Sequence, residues 1–202
     1  MTAKITTQDV FGIPVFECVI PEIQDRRTEL VSHFSQMRAD EDTVNRSNQG
    51  GWHSRDNLHQ DKDELTQWLA KTLYQYGSTC IRLLEKDKVA KDDIYMVDLW
   101  VNINDAGTWN APHLHLPCDY SAVVYINVNE NPKPSGAGGN EGDFLMFNPL
   151  PLGKRHKRPP TTNYSPKNGH MLLFPSYMVH MVCPHNEPDP RMSVAFNFRI
   201  KD

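Results

Sequence analysis

Three histidines and one arginine carry the chemistry that can be read in this chain. His113 and His115 lie two residues apart in Trp109-Asn110-Ala111-Pro112-His113-Leu114-His115-Leu116-Pro117. Side chains alternate along a strand, so that spacing is expected to put both imidazoles on one face. His180 follows far downstream, closing the apolar run Met171-Leu172-Leu173-Phe174-Pro175-Ser176-Tyr177-Met178-Val179. Three neutral imidazoles can hold one borderline divalent metal and leave positions open for other ligands. Arg191 comes eleven positions after His180 and two before Ser193. Its guanidinium offers a fixed fork for a carboxylate, and the hydroxyl on the same strand face adds a donor. A metal holding one end of a dicarboxylic acid, with an arginine holding the other, would form a redox co-substrate site.

Each piece taken alone has an ordinary structural reading. An HxH pair is often just hydrogen-bonded, an isolated arginine is usually ion-paired at the surface, and Tyr125 could be a half-buried core tyrosine. Their joint occurrence on apolar strands favours the site. Tyr125, on the mixed face of the strand after the HxH, would then add a phenolic donor.

The elements that must position these groups follow from periodicity. Val97, Leu99, Val101 and Ile103 alternate with Asp98, Trp100, Asn102 and Asn104. Ser121, Val123, Tyr125 and Asn127 alternate with Ala122, Val124, Ile126 and Val128, and Arg191, Ser193, Ala195, Asn197 and Arg199 with Met192, Val194, Phe196, Phe198 and Ile200. Each strand has one apolar face for packing and one mixed face able to line a cavity, as in paired jelly-roll sheets. Before Ile94 the pattern is mainly helical. Pro14 to Ile20 reads as a strand, Pro21 opens a helix, and Ile23, Leu30, Val31, Phe34 and Met37 recur at helical spacing. Leu65, Trp68, Leu69, Leu73, Ile81 and Leu84 mark a second helix, which Gly77 is expected to bend or split. The expected fold is α+β, mainly β: a double-stranded β-helix over residues 94–202, with the helices of residues 1–93 packed on one sheet, in a single domain spanning 1–202. Turn-rich segments separate the strands, and the basic loop Lys154-Arg155-His156-Lys157-Arg158-Pro159-Pro160 could cover the cleft. Glu141 and Asp143 read as loop and strand surface.

Composition narrows the class. A chain of 202 residues with 15 prolines and 39% apolar content suits a strand-and-loop domain. Its net charge of −4 gives no general attraction to duplex nucleic acid or anionic membranes. No apolar stretch approaches the ~20 residues of a membrane span, and the N-terminus lacks the apolar core of a secretion signal. Four cysteines without CxxC spacing point to reduced thiols and a cytoplasmic location. Cys118 and Cys183, three positions after His115 and His180, read as neighbours of the site by coincidence.

The ordered features HLH, SAVVYIN, GGNEGDFLMF, GHMLLFPSYMVHMV and RMSVAFNF resemble the catalytic core of the 2-oxoglutarate- and Fe(II)-dependent oxygenases. WVNIN and Gly51-Trp52-His53-Ser54 resemble a subgroup of similar length, so the resemblance covers most of the chain. It implies that His113 and His180 bind Fe(II). His115 falls where the family usually has a carboxylate, a departure from the common facial triad. Asp119, four residues on, is the other candidate for third ligand. The resemblance further implies that Arg191, Ser193 and Tyr125 hold the distal carboxylate of 2-oxoglutarate, with Asn102 or Asn104 near its metal-binding end. It implies oxidative decarboxylation of 2-oxoglutarate by dioxygen to succinate, coupled to hydroxylation of a small molecule or protein side chain. Two other readings use the same residues: a zinc hydrolase or lyase with a three-histidine site, and a non-catalytic jelly-roll binding module.

Overall fold

The computed structural model describes residues 5–10, 12–86, 88–135, 139–150 and 159–201. A hairpin of β1 (Ile5–Val10) and β2 (Ile13–Val19) leads into α1 (Pro21–Asp25) and α2 (Arg27–Asp40). Short strands β3 (Asn48–Gln49) and β4 (Trp52–His53) precede α3 (Glu64–Leu84). Then follow β5 (Ile94–Asn104), β6 (Trp109–His113), β7 (Tyr120–Asn127), β8 (Phe144–Phe147) and β9 (Thr161–Tyr164), and finally β10 (His170–Pro175), β11 (His180–Val182) and β12 (Arg191–Ile200).

The strands form two antiparallel sheets stacked as a jelly roll. Seven run in the order β1-β2-β10-β7-β12-β5-β4, and five in the order β3-β6-β11-β8-β9. Alternation along the large sheet feeds two cores. Ala122, Val124, Met171, Leu173, Val194, Phe196 and Phe198 face the helices and pack with Leu30, Phe34, Leu69, Leu73 and Ile81. Val123, Tyr125, Leu172 and Phe174 face the opposite way and meet Phe144, Met146 and Val182 of the small sheet. The helices therefore pack on one sheet, as the periodicity predicts. Burying one large apolar side chain contributes ~1.5–3 kcal/mol. A one-residue slip of β12 would turn Arg191, Ser193 and Asn197 into the helix-facing core, so the apolar face fixes the register that aims the polar one.

α3 begins where the Asp63 carboxylate accepts the Thr66 backbone N–H at 2.9 Å, an N-cap that satisfies an otherwise orphan donor. Gly77 neither bends nor splits it: the helix is continuous over 21 residues. An added Cβ at Gly77 would overlap the Phe198 ring, so this glycine lets helix and sheet approach closely. The first helical stretch does divide, at Arg26, whose φ of −103° and ψ of 13° are not helical. The N-terminal part also supplies more strand than its pattern suggests. β2 pairs with β10, β3 with β6 and β4 with β5. Of the basic loop, residues 154–158 lie outside the described residues.

Candidate metal and co-substrate site

β6 and β11 are antiparallel neighbours in the small sheet, and their register sets His113 directly opposite His180. Their ring centroids are 4.3 Å apart. His115 joins from beyond the strand. β6 ends at His113, so the expectation that both residues of the HxH share a strand face is corrected. The backbone instead turns, and the His115 N–H donates to the Ser176 carbonyl at 3.0 Å. That bond brings the third ring within 4.9 Å of His113 and 5.1 Å of His180. One ring nitrogen from each of the three lies within 4.8 Å of the others, a group able to hold a metal ion. Asp119 is not part of this group: it is exposed, and its carboxylate accepts the Ile200 N–H at 2.8 Å.

The tautomers are set locally. His113 Nδ1 meets the Ala111 carbonyl at 2.7 Å, and His180 Nδ1 meets the Met178 carbonyl at 2.8 Å. A carbonyl only accepts, so both Nδ1 atoms carry the proton and both Nε2 atoms keep a lone pair. Burial pushes the imidazoles toward the neutral form. Desolvation lowers His113, takes His115 down to about 3 with help from His113 and His53, and holds His180 well below its ordinary value. Neutral imidazole is the ligating form, so the donor set fits a divalent metal.

A cavity of about 600 Å3 opens beside the three histidines, and Asn102, Arg191 and Ser193 also line it. Arg191 is only 4% exposed. Its Nη1 donates to Ser193 Oγ at 3.2 Å, while Nε and Nη2 have no partner among the described residues. Burial lowers the pKa of this guanidinium, yet arginine remains charged in proteins. A buried cation with unused donors is costly unless an anion meets it, and a carboxylate matches its fork. Asp143, the buried acid nearby, is already engaged by the Asn140 N–H and the Ser165 hydroxyl, each at 2.7 Å. Asp143 is thus no surface residue, contrary to expectation: it closes the turn before β8.

The other predicted residues divide. The Tyr125 hydroxyl is buried without a partner among the described residues, and its ring centre is 5.2 Å from the Arg191 guanidinium carbon, but the residue does not itself line the cavity. Burial raises its phenol pKa. Asn102 lines the cavity, and its Oδ1 has no partner among the described residues. Asn104 instead donates through Nδ2 to Asn110 Oδ1 at 3.2 Å, tying β5 to β6. The thiols of Cys118 and Cys183 stay outside the histidine group.

Several lining residues carry no motif. Ser47 Oγ is 3.4 Å from His113 Nε2 and accepts from Asn110 Nδ2. Trp100 lies between two imidazoles, 5.3 Å from His115 and stacked on His53 at 5.7 Å. Asp98 and Trp100 share the mixed face of β5 with Asn102, which was the available signal. His53 belongs to the GWHS segment, but its place beside the cavity depends on β4 pairing with β5.

Residues 98–197 match the family model described as "Putative 2OG-Fe(II) oxygenase". No curated protein matches the sequence. A prolyl-4-hydroxylase of Pseudomonas putida has a similar structure, with a TM-score of 0.63 and 17% identity over 100% of this chain and 95% of its own. The viral collagen prolyl hydroxylase of Paramecium bursaria Chlorella virus-1 gives a TM-score of 0.55 at 10% identity, over 97% of this chain and 96% of its own. HygX of Streptomyces hygroscopicus, solved with nickel, 2-oxoglutarate and hygromycin B, gives 0.53 at 15% identity, over 91% and 82%. At such identities the likeness speaks for the fold. The motif order, the two-sheet architecture and the matched core agree: residues 98–197 form a 2OG-Fe(II) oxygenase domain.

Proposed function

We propose that this protein is an Fe(II)- and 2-oxoglutarate-dependent dioxygenase that couples decarboxylation of 2-oxoglutarate to succinate with hydroxylation of a small molecule or a protein side chain. The observation that carries this reading is the buried Arg191, with Nε and Nη2 unpaired, in the same cavity as three neutral imidazoles. His113, His115 and His180 hold the iron, which when bound supplies the activation of dioxygen. Arg191 and Ser193 hold the distal carboxylate of 2-oxoglutarate, with the phenol of Tyr125 adding a donor beside them. Asn102, across from Ser193 in the β5–β12 register, stands by the metal-binding end. The strands that wall the cavity fix the two ends of the co-substrate relative to each other. We also propose that helices and jelly roll act as one domain, in the cytoplasm and without duplex nucleic acid or membrane as partner.

The third imidazole, standing in the family's carboxylate position, also suits a zinc hydrolase or lyase in which Arg191 holds a substrate carboxylate. Turnover separates the two. Succinate should accumulate from 2-oxoglutarate only with Fe(II) and dioxygen together. Activity that persists without oxygen and ignores 2-oxoglutarate would favour zinc.

A further inference from the structure

We propose that the substrate carries a cationic nitrogen, an ammonium or guanidinium, received by Asp98 at the end of the cavity opposite Arg191. This rests on the proposed function for which cavity end the co-substrate takes. Paired residues of β5 and β12 run along the cavity floor: Asn104 with Arg191, Asn102 with Ser193, Trp100 with Ala195 and Asp98 with Asn197, all but Asn104 lining the cavity. Asn104 and Asp98 are six residues apart, roughly 20 Å of strand. Trp100, which touches His115, is two residues from Asp98, roughly 7 Å. The histidines therefore lie between a cationic end and an acidic one. Trp100, Val123 and Ala195 give the stretch between them an apolar lining.

Asp98 is held in place for a ligand. Its Oδ2 accepts from Asn197 Nδ2 at 2.8 Å. Asn197 Oδ1 in turn accepts from the Ser121 hydroxyl at 2.8 Å, which meets the Ser176 hydroxyl at 2.7 Å. The Cys118 thiol approaches Oδ2 at 3.9 Å. These neutral groups orient the carboxylate, and the imidazole of His59, which also feels its charge, is held toward the neutral form by burial. Four charged residues line the cavity: Arg46, Asp56, Asp98 and Arg191. Arg46 pairs with Asp56 at 3.0 Å, and Arg191 has the co-substrate. Asp98 alone of the four has no assigned counter-ion, and no ion pair to it occurs among the described residues. Arg199, the cation acting on the adjacent Cys118 thiol, makes none with it. A carboxylate so placed repels an anionic substrate and favours a cation.

The test is calorimetric binding to the whole protein at low salt, with no iron or 2-oxoglutarate added. The probes are N-acetyl-lysine and N-acetyl-arginine methylamides, their neutral counterparts from norleucine and citrulline, and the free amines cadaverine and agmatine. At least one cationic amino-acid probe should bind about 10–100-fold more tightly than its neutral counterpart, the value of one charge-assisted contact. Asp98→Asn should erase that preference, and Asp56→Asn should keep it. Binding of the free amines alone would support a small-molecule source of the same cation. Equal affinity for every cationic and neutral probe in the unmodified protein would overturn the proposal, even if the Asp98 variant fails to fold. So would a preference that survives Asp98→Asn. Cation binding without succinate release would sink the oxygenase reading and leave this one standing, and succinate release without cation preference would do the reverse.

Discussion

Arg191 is the side chain on which the proposed function turns. Among the described residues its surroundings supply a single hydroxyl for a guanidinium with five donors, and the missing partners match a carboxylate. Arg191→Ala should raise the apparent constant for 2-oxoglutarate about 10–100-fold, from the loss of ~1.5–3 kcal/mol of charge-assisted bonding. Calorimetric Fe(II) affinity should stay as it was. An unchanged constant for 2-oxoglutarate would remove Arg191 from the role. The arginine and Ser193 were legible because both lie on one regular strand, where residue parity decides the face. His115 was legible as to type but not as to route, since the chain leaves β6 at His113 and a backbone bond to Ser176 does the positioning. Asp143 was misread because its partner Ser165 is 22 residues away, and acidic residues beside glycine ordinarily mark a surface turn.

At the scale of elements, long alternating strands announced themselves and short ones did not. β5, β7 and β12 each carry an unbroken period of two, and all three lie inside the large sheet. β3 and β4 have two residues each, too few for any period, and exist because β6 and β5 offer them an edge. The same dependence on distant partners hid the role of Gly77. Alanine ordinarily stabilises a helix interior by about 1 kcal/mol relative to glycine. Here the added methyl would meet the Phe198 ring, and overpacking costs about 1–3 kcal/mol. Gly77→Ala should therefore destabilise the protein, by roughly 1 kcal/mol once the helix gain is set against the clash. A urea midpoint that rises in the variant would contradict that packing.

In the whole molecule, the large sheet is shared by two cores, and that division is what makes a site. Its apolar face is locked against the helices, so its polar face can hold buried charge and unpaired donors without losing register. The small sheet brings His113 and His180 over that floor, and the turn after β6 brings His115. The net charge of −4 offers no broad cationic surface, and no helix among the described residues is long and apolar enough to cross a membrane. On the proposal made above, specificity arises inside the cavity, between the Arg191 guanidinium and the Asp98 carboxylate. The most direct measurement is anaerobic titration of the Fe(II)-loaded protein with 2-oxoglutarate, followed in the visible range. Chelation of the iron by the 2-oxo acid should give a metal-to-ligand charge-transfer band that His180→Ala abolishes. Full binding of iron and 2-oxoglutarate with no band, or a band unchanged in His180→Ala, would mean that the three imidazoles do not form the metal centre.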